Sequence, residues 1–247
     1  MAKGIFVIGT DTSVGKTVVT AGLMHLLLSK GYNACYFKPV SSGIADVGNH
    51  SGPVDVSFVK AVSGLQEAEH TLNPFSFRAP VSPHLASRME GREIDVREIQ
   101  KSLQDLKLRY DYIMAEGCGG LAVPLNDDGY LLSNLILETG FDCILVARTG
   151  LGTINHTLLT VKYAQCSGIQ MRGIFLNGYT HSFLEDDNIK TLERLAGIPV
   201  CGVIPALEHV DVDRQIIGNL REVFEKTVNI EAFIKLMGDV PVTEESI

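Results

Sequence analysis

The sequence has no tryptophan, no closely paired cysteines and no long apolar run. Its five cysteines are odd in number and form no C-x-x-C pair, which disfavours zinc and disulfide frameworks. We therefore expect them to be small buried side chains in a reducing cytoplasm. Apolar runs such as Ile5–Ile8 and Cys143–Ala147 are far shorter than the roughly 20 residues of a membrane-spanning helix. The N-terminal run ends at once in Gly9-Thr10-Asp11 and does not resemble a secretory signal.

The chain also has fewer basic than acidic side chains. The chain has 21 Lys and Arg against 29 Asp and Glu, for a net charge of −8. Nucleic-acid-binding domains usually carry a basic face, so we expect neither nucleic acid nor a membrane as a partner. Apolar residues make up 45% and charged residues 20%, as in ordinary globular proteins, which excludes a disordered or fibrous chain.

Short, nearly continuous apolar runs alternate with helical patterns along the chain. Such runs predict strands covered on both faces, hence a parallel sheet. The predicted strands are Gly4–Ile8, Ala34–Phe37, Tyr112–Ala115, Cys143–Ala147, Gly173–Leu176 and Val200–Ile204. The predicted helices are Lys16–Lys30, Val96–Leu108, Leu131–Thr139, Ile154–Ser167, Glu185–Ala196 and Val212–Lys226. This alternation predicts an α/β fold: a single doubly wound domain over residues 1–247, with helices on both faces of a mostly parallel sheet.

Two further segments carry structural expectations. The stretch Thr71–Gly91 is rich in proline and serine, which indicates an ordered excursion over the surface. The polar tail 239–247 is expected to be frayed. In open α/β sheets ligands bind beyond the carboxyl ends of the strands, so the segments that follow the predicted strands should share one crevice.

A phosphate-binding loop joins the first predicted strand to the first predicted helix. The segment runs Gly9-Thr10-Asp11-Thr12-Ser13-Val14-Gly15-Lys16-Thr17, one residue longer between its glycines than the usual G-x4-G-K-[ST] pattern. Gly15 lets backbone N–H groups approach phosphate, Lys16 places a charge on the β and γ oxygens, and Thr17 offers a hydroxyl to Mg²⁺. The sequence therefore predicts a P-loop NTPase-like site for ATP or GTP.

Polar residues follow other predicted strands. Glu116 begins Glu116-Gly117-Cys118-Gly119-Gly120 and suits a metal-binding carboxylate, although a plain tight turn is the alternative. Lys38 suits an anionic ligand or is a solvated surface lysine. Asp55 is either a second metal ligand or the N-cap of a helix over Asp55–Ser63, and from the residues alone the N-cap is favoured. Asn177 either pairs with an adenine edge or forms an Asn-Gly turn.

Several motifs in order resemble the dethiobiotin synthetase family. The resemblance spans residues 4 to about 207 and includes the long glycine spacing of the phosphate loop. Its motifs are Gly9-Thr10-Asp11-Thr12-x-Val14-Gly15-Lys16-Thr17, Tyr36-x-Lys38-Pro39-Val40-x-Ser42-Gly43, Asn73-Pro74-Phe75-x-Phe77-x-x-Pro80-x-Ser82-Pro83-His84, Glu90-Gly91, Glu116-Gly117-x-Gly119-Gly120, Leu151-Gly152-x-Ile154-Asn155-His156 and Gly202-x-Ile204-Pro205.

The resemblance implies an ATP- and Mg²⁺-dependent ligase of biotin biosynthesis. It would close a ureido ring on 7,8-diaminononanoate with CO₂, through a carbamate and a carbamic–phosphoric anhydride, to give dethiobiotin, ADP and phosphate. Thr17, Asp55 and Glu116 would hold Mg²⁺, while Lys38, Lys16 and Thr12 would be catalytic. The substrate would also meet Ser42, Leu151, Gly152 and Asn155. The nucleotide would contact Ser13, Val14, Gly15, Lys16, Thr17, Val18, Asp55, Glu116, Gly117, Cys118, Gly119, Asn177, Pro205, Ala206 and Leu207.

The segment Leu151–Asn155 is similar to the family's loop that reaches the substrate carboxylate of the neighbouring subunit, so the resemblance implies a cytoplasmic homodimer. The alternative for this segment is a helix N-terminus capped by Thr153 or Asn155. The chain departs from the family at Cys118, around Asp55 and after Pro205.

The rival hypothesis is a P-loop ATPase switch of the partition or septum type. Those proteins usually carry a lysine four residues before the second glycine, where this chain has Asp11. They also often end in a basic amphipathic helix, and Ile230–Met237 carries only Lys235. A second rival, an amidotransferase, would need a glutaminase domain for which 247 residues leave no room.

Overall fold

The order of helices and strands follows the predicted alternation. The protein is described by a computed structural model over residues 1–47 and 50–240. The strands are β1 (Ala2–Gly9), β2 (Ala34–Phe37), β3 (Val40–Ser42), β4 (Ile44–Val47), β5 (His50–Pro53), β6 (Phe75–Phe77), β7 (Tyr112–Glu116), β8 (Asp142–Arg148), β9 (Met171–Tyr179), β10 (Val200–Pro205) and β11 (Gly238–Val240). The helices are α1 (Lys16–Ser29), α2 (Val54–Ser63), α3 (Glu69–Leu72), α4 (Pro83–Glu90), α5 (Val96–Arg109), α6 (Leu132–Thr139), α7 (Thr153–Cys166), α8 (Phe183–Leu195), α9 (Leu220–Thr227) and α10 (Ile230–Ile234).

The main sheet confirms the predicted fold class. Its strand order is β10-β9-β8-β1-β7-β2, all parallel, and β11 pairs antiparallel with the start of β1. All six predicted strands belong to this sheet. In the first five, the central residues are buried, which explains why these runs are continuously apolar and do not alternate. β10 lies at the edge of the sheet, and its central residues are half-buried.

Right-handed crossovers place the helices on both faces of the sheet. The connection from β1 to β2 runs in one direction along the sheet, whereas those from β7 to β8 and from β8 to β9 run in the other. Because such connections are almost always right-handed, α1 covers one face and α6 and α7 cover the opposite face. Helices α2 and α9 pack against α1 in turn, so α1 is apolar on most sides. A Cβ on Gly22 of α1 would lie 2.4 Å from the Phe224 ring of α9, which explains the glycine there.

Three expectations about the less regular segments were wrong in whole or in part. Thr71–Gly91 holds β6 and α4, and Phe75 and Phe77 are in the core, so it is not only a surface excursion. The predicted helix Val212–Lys226 begins only at Leu220 because the chain first turns back between Asp211 and Ile216, with Gln215 at φ 58°. In the predicted frayed tail, residues 239 and 240 belong to β11, and 241–247 lie outside the described residues.

The five cysteines are free thiols. Cys35 and Cys143 are buried as expected, but Cys118 and Cys201 are half-buried and Cys166 is exposed, so the expectation holds for two of the five. Within the described ranges, no helix is both long and apolar enough to cross a membrane.

Candidate active site

A cleft of about 600 Å³ lies beyond the carboxyl ends of β1, β2 and β7. Its position is the one expected for a ligand site in an open α/β sheet. Predicted site residues that line it are Thr12, Ser13, Gly15, Lys16, Thr17, Val18, Lys38, Ser42, Asp55, Glu116, Cys118 and Gly119. The cleft is completed by residues for which we predicted no role, namely Ser41, Pro80, Val81, Ser82, Pro83, Val123, Val212 and Asp213.

The phosphate loop has the backbone geometry that its glycines predict. Gly15 stands before α1 with φ 97°, a left-handed conformation that strains other residues. A Cβ at Gly15 would also lie only 2.0 Å from Nδ2 of Asn177. The Lys16 ammonium folds back and donates to the carbonyl oxygen of Asp11 at 3.0 Å. The loop therefore surrounds a cationic side chain and presents the N-terminus of a helix, which together suit a phosphate group.

At the floor of the cleft, a hydroxyl, two carboxylates and an ammonium group converge. Thr17 Oγ1 is 2.9 Å from both Asp55 Oδ1 and Glu116 Oε1. The ammonium of Lys38 is 2.6 Å from Asp55 Oδ2 and 2.7 Å from Glu116 Oε1, and 3.3 Å from the carbonyl oxygen of Gly117. The side chains of Lys38 and Glu116 are buried, while that of Asp55 is 31% exposed. The cluster therefore offers one partly open carboxylate to the cleft.

Burial and charge act in opposite directions on this cluster. Burial alone would lower the pKa of Lys38, but the charges of Asp55 and Glu116 hold it above its ordinary value. Burial likewise works against the Asp55 carboxylate, yet Lys38 and the Thr17 hydroxyl keep the pKa of Asp55 below its usual range. Burial, followed by the charge of Lys38, lowers the pKa of Lys16. The two lysines thus interact with each other across the same cleft.

The sequence interpretation of Asp55 as a helix cap was wrong. Helix α2 begins at Val54 with Pro53 in the N-cap position, and the Asp55 side chain turns toward Thr17 and Lys38. Asp55 sits in the first turn of α2, and this helix packs against α1, which carries Thr17. That packing brings together two residues 38 positions apart in the chain.

The donors at the cleft floor suit Mg²⁺. Among the residues that the structure describes, no group of three or more His, Cys, Asp and Glu side chains converges. Two carboxylates and a hydroxyl are nevertheless hard oxygen donors, and Mg²⁺ is usually held by one or two carboxylates together with substrate phosphates and water. The ammonium of Lys38 already lies between the two carboxylates, which shows that a cation fits there electrostatically.

Several predicted nucleotide and substrate residues lie outside the cleft lining. Asn177 is behind the phosphate loop, where its Nδ2 donates to the carbonyl oxygen of Val14 at 3.1 Å. Beside it, the N–H of Ala206 donates to Tyr179 O, which joins the ends of β9 and β10. The remaining residues of this group are the buried Val14 and Gly117, the half-buried Pro205 and Leu207, and the exposed Leu151, Gly152 and Asn155.

The loop after β8 is fixed by side chains of α8 and does not line the cleft. Thr149 Oγ1 donates to Glu185 Oε1 at 2.5 Å, and Asn188 Nδ2 donates to the Thr149 carbonyl at 2.8 Å. Leu151 at the tip is 90% exposed. Gly152 is the N-cap of α7 with no side-chain cap, so the alternative of capping by Thr153 or Asn155 was wrong. The loop is therefore presented outward as a fixed feature of the surface.

Two residues near the site appear in the sequence motifs, but no role was predicted for them. Asn73 is buried and donates from Nδ2 to the carbonyl oxygen of Lys38 at 2.6 Å, which fixes the chain where it enters the cleft. Tyr36 is fully buried in β2, and its hydroxyl donates to Glu116 Oε2 at 3.0 Å. A phenol within an otherwise apolar strand, two residues before the predicted active lysine, was the available signal.

Comparisons with known proteins support a common family. A family model described as an AAA domain matches residues 3–214. The ATP-dependent dethiobiotin synthetase BioD of Clostridium kluyveri is 44% identical over 240 residues, covering 96% of this chain and 99% of the relative. The protein of the same name from Bacillus subtilis strain 168 is 40% identical over 210 residues, covering 84% of this chain and 89% of the relative.

Solved structures agree on the fold at much lower identity. The septum site-determining protein MinD from Pyrococcus horikoshii, complexed with Mg-ADP, superposes with a TM-score of 0.58 at 18% identity, covering 96% and 94% of the two chains. A ParA family ATPase from Chlorobium tepidum gives a TM-score of 0.56 at 13% identity, covering 95% and 97%. At such identities the likeness shows the P-loop fold alone.

Proposed function

The chain belongs to the ATP-dependent dethiobiotin synthetase family, ligases of biotin biosynthesis that form carbon–nitrogen bonds, and from this premise we propose its substrates and its steps. The substrates are 7,8-diaminononanoate, CO₂ and ATP, and the products are dethiobiotin, ADP and phosphate. The observation that carries this proposal is the convergence of Lys16, Lys38, Thr17, Asp55 and Glu116 on one cleft next to a phosphate loop. Two cationic side chains at one site suit a reaction in which two anions must meet.

The reaction begins with a neutral amine of the diamine, whose nitrogen attacks CO₂ and releases one proton to give a carbamate anion. A carbamate oxygen then attacks the γ-phosphorus of ATP, and ADP leaves. The second amine attacks the carbamate carbon, phosphate leaves with the bonding electrons, and a further proton is released as the ureido ring closes. Because both nitrogens belong to one molecule, holding the diamine in place supplies most of the help for this last step.

We assign the charge compensation to the two lysines. Lys16 interacts with the transferring phosphoryl group from within the phosphate loop, and Lys38 interacts with the carbamate from the end of β2. In the structure the ammonium of Lys38 is engaged by Asp55 and Glu116, so it must exchange at least one of these partners to bind an anion in the cleft. Phosphoryl transfer depends mainly on positioning and electrostatic stabilisation, which is what two such cations provide.

Thr17, Asp55 and Glu116 would hold Mg²⁺. When bound, the ion would neutralise charge on the nucleotide phosphates. The positions of Thr12 and Ser42 in the cleft lining support contacts to the diamine and the carbamate. The contacts of Asn177 with the phosphate loop support an adenine side near Asn177 and Pro205–Leu207, beyond the rim of the cleft.

We further propose a cytoplasmic homodimer in which Leu151, Gly152 and Asn155 bind the substrate carboxylate of the neighbouring subunit. Their exposure and the rigid support of the loop by Glu185 and Asn188 favour a role outside their own subunit. A helix N-terminus such as that of α7 attracts carboxylates.

The proposal is tested by phosphate release and by product analysis. Phosphate should appear only when diamine, bicarbonate and Mg-ATP are present together, and ¹³C from labelled bicarbonate should appear in the ureido carbonyl of the product. Release with ATP alone, or on addition of DNA or lipid vesicles, would favour an ATPase switch and contradict the proposal.

A further inference from the structure

Tyr36 is a buried titratable residue that the proposed steps do not use. In the parallel pairing of β2 with β7, Tyr36 is opposite Met114, two residues before Glu116. Side chains two residues apart on a strand share one face of the sheet, so Tyr36 and Glu116 are on the same face. Lys38 follows two residues after Tyr36. The Tyr36 phenol is therefore directed along this face of the sheet toward the carboxylate of Glu116 at the end of β7.

The two oxygens of Glu116 have separate partners. Oε1 accepts from Thr17 Oγ1 at 2.9 Å and from the ammonium of Lys38 at 2.7 Å, and it faces the cleft floor. Oε2 accepts from the Tyr36 hydroxyl at 3.0 Å. Both Tyr36 and Glu116 are completely buried. The Tyr36 hydroxyl is thus hydrogen-bonded to Oε2, the carboxylate oxygen that neither Thr17 nor Lys38 contacts.

We propose that Tyr36 is a positioning residue that fixes the rotation of the Glu116 carboxylate, so that only Oε1 is offered to a metal ion. The inference rests on the proposed role of Glu116 as a metal ligand and deepens it. The terminal torsion of a glutamate is broad, so a carboxylate without this hydrogen bond could rotate. Its second oxygen would also be left buried without a partner, which is costly. Groups that orient metal ligands in this way commonly change metal affinity by roughly 10- to 100-fold when they are removed.

The test compares metal binding in two matched tyrosine variants. Mn²⁺ replaces Mg²⁺ as the probe, and electron paramagnetic resonance measures free Mn²⁺ during titration of the full chain at one fixed ADP concentration. Tyr36→Phe should raise the Mn²⁺ dissociation constant about tenfold. Tyr110→Phe is the control because its hydroxyl also donates to a carboxylate, Glu67 Oε1 at 2.7 Å, away from the cleft. The control should bind Mn²⁺ within twofold of the parent protein.

Rescue distinguishes positioning from packing. Replacement of Tyr36 by 4-aminophenylalanine keeps a donor at the ring's end and should restore the dissociation constant to within about threefold of the parent. Replacement by 4-methylphenylalanine fills the same volume without a donor and should bind as weakly as Tyr36→Phe. It also replaces that variant in the comparison if Tyr36→Phe does not fold.

An unchanged dissociation constant in the donor-free variants would overturn the proposal. So would weakened binding that 4-aminophenylalanine does not rescue, or an equal loss in Tyr110→Phe. Failure of the proposed reaction is a separate outcome, since it would be seen as absence of dethiobiotin with the unaltered protein. The Mn²⁺ comparison needs neither the diamine nor turnover.

Discussion

Replacement of Lys38 by methionine should destabilise the protein strongly and make its stability more responsive to Mg²⁺. Methionine keeps the length and much of the volume of the side chain but removes its charge. In the parent, that charge is 2.6 and 2.7 Å from Asp55 and Glu116, and only 3% of the Lys38 side chain is exposed. Without it, two carboxylates would face each other with only the Thr17 hydroxyl between them.

The expected loss comes from the burial of the cluster. Breaking a buried ion pair by removing one partner costs about 3–5 kcal/mol. Because Asp55 is 31% exposed and solvent screens its charge, we expect about 3 kcal/mol, near the lower end of that range. For a chain of this length, 3 kcal/mol corresponds to a fall of about 6–12 °C in the melting temperature. Turnover should be nearly abolished as well, because the carbamate would lose its cation.

Mg²⁺ should restore part of the lost stability. A ligand that binds only the folded state stabilises it by RT ln(1 + L/Kd), where L is the ligand concentration, so at one concentration tighter binding gives more stabilisation. At the proposed site in the parent, Mg²⁺ would have to displace the ammonium of Lys38 from the carboxylates, whereas in Lys38→Met it would meet no competitor. Saturating Mg²⁺ should therefore raise the melting temperature of the variant more than that of the parent.

Circular dichroism melts in EDTA and in Mg²⁺ provide the measurement, since the chain has no tryptophan to follow by fluorescence. Lys226→Met is the matched control: its ammonium is 2.5 Å from Glu222, but both side chains are more than 60% exposed. Exposed pairs contribute at most about 1 kcal/mol, so the control should melt within about 4 °C of the parent. Equal melting temperatures of Lys38→Met and the parent in EDTA, or equal responses to Mg²⁺, would refute the reasoning.

Other variants test the supports around the cleft. Burial alone would raise the pKa of Glu185, but hydrogen-bond donors led by Thr149 hold that pKa at about 2, below the ordinary 4.5. The ionised carboxylate therefore stabilises the fold fully above pH 4.5, and this stabilisation is lost as the pH falls toward 2. Melts at pH 6 and pH 3 should show a larger fall for the parent than for Glu185→Gln; equal falls would contradict this. Gly15→Ala adds a Cβ that would lie 2.0 Å from Asn177 Nδ2, at a left-handed φ. We expect the resulting strain, about 1–3 kcal/mol, to disfavour the loop conformation that binds phosphate and to weaken ADP binding in calorimetry about tenfold or more. Asn177→Ala removes the hydrogen bond to the carbonyl oxygen of Val14 and should reduce the free energy of ADP binding by about 1 kcal/mol in the same titration. Combining it with Gly15→Ala should recover part of the affinity, and a strictly additive loss would show that the two side chains do not collide.

The sheet and the cleft could be predicted because their signals are local in sequence. Each strand of the parallel sheet is a buried apolar run, and the phosphate loop carries its chemistry in adjacent residues. Because ligands bind beyond the strands' carboxyl ends, Lys38 and Glu116 are predicted to share one crevice with Lys16. The loops after β8, β9 and β10 satisfy the same rule but do not line the cleft, and Asn177 of β9 contacts Val14 on the phosphate loop.

The segments that were predicted wrongly depend on long-range contacts. Residues 212–219 are included in the predicted helix Val212–Lys226, but Gln215 Nε2 donates to the carbonyl oxygen of Val54 at 3.1 Å, and this contact holds the chain in a turn. β6 is three residues long and pairs with β3, which begins two residues after Lys38. A strand of three residues has no recognisable periodicity, so only its partner defines it.

The pairing of Lys38 with Asp55 and Glu116 changes what the sequence implies about that lysine. From the sequence, Lys38 is interpreted as a cation that binds an anionic ligand. The sequence does not reveal that Asp55, 17 residues later and on another element, lies beside it. In the folded chain the lysine already neutralises the carboxylates that would hold a metal ion, so binding of the metal and release of the lysine are the same electrostatic event. Two cations cannot both remain between Asp55 and Glu116 without repelling each other. At the proposed metal site, a divalent ion that took the place of the lysine would make it available to an anion in the cleft. The stability difference of Lys38→Met with and without Mg²⁺ tests that exchange.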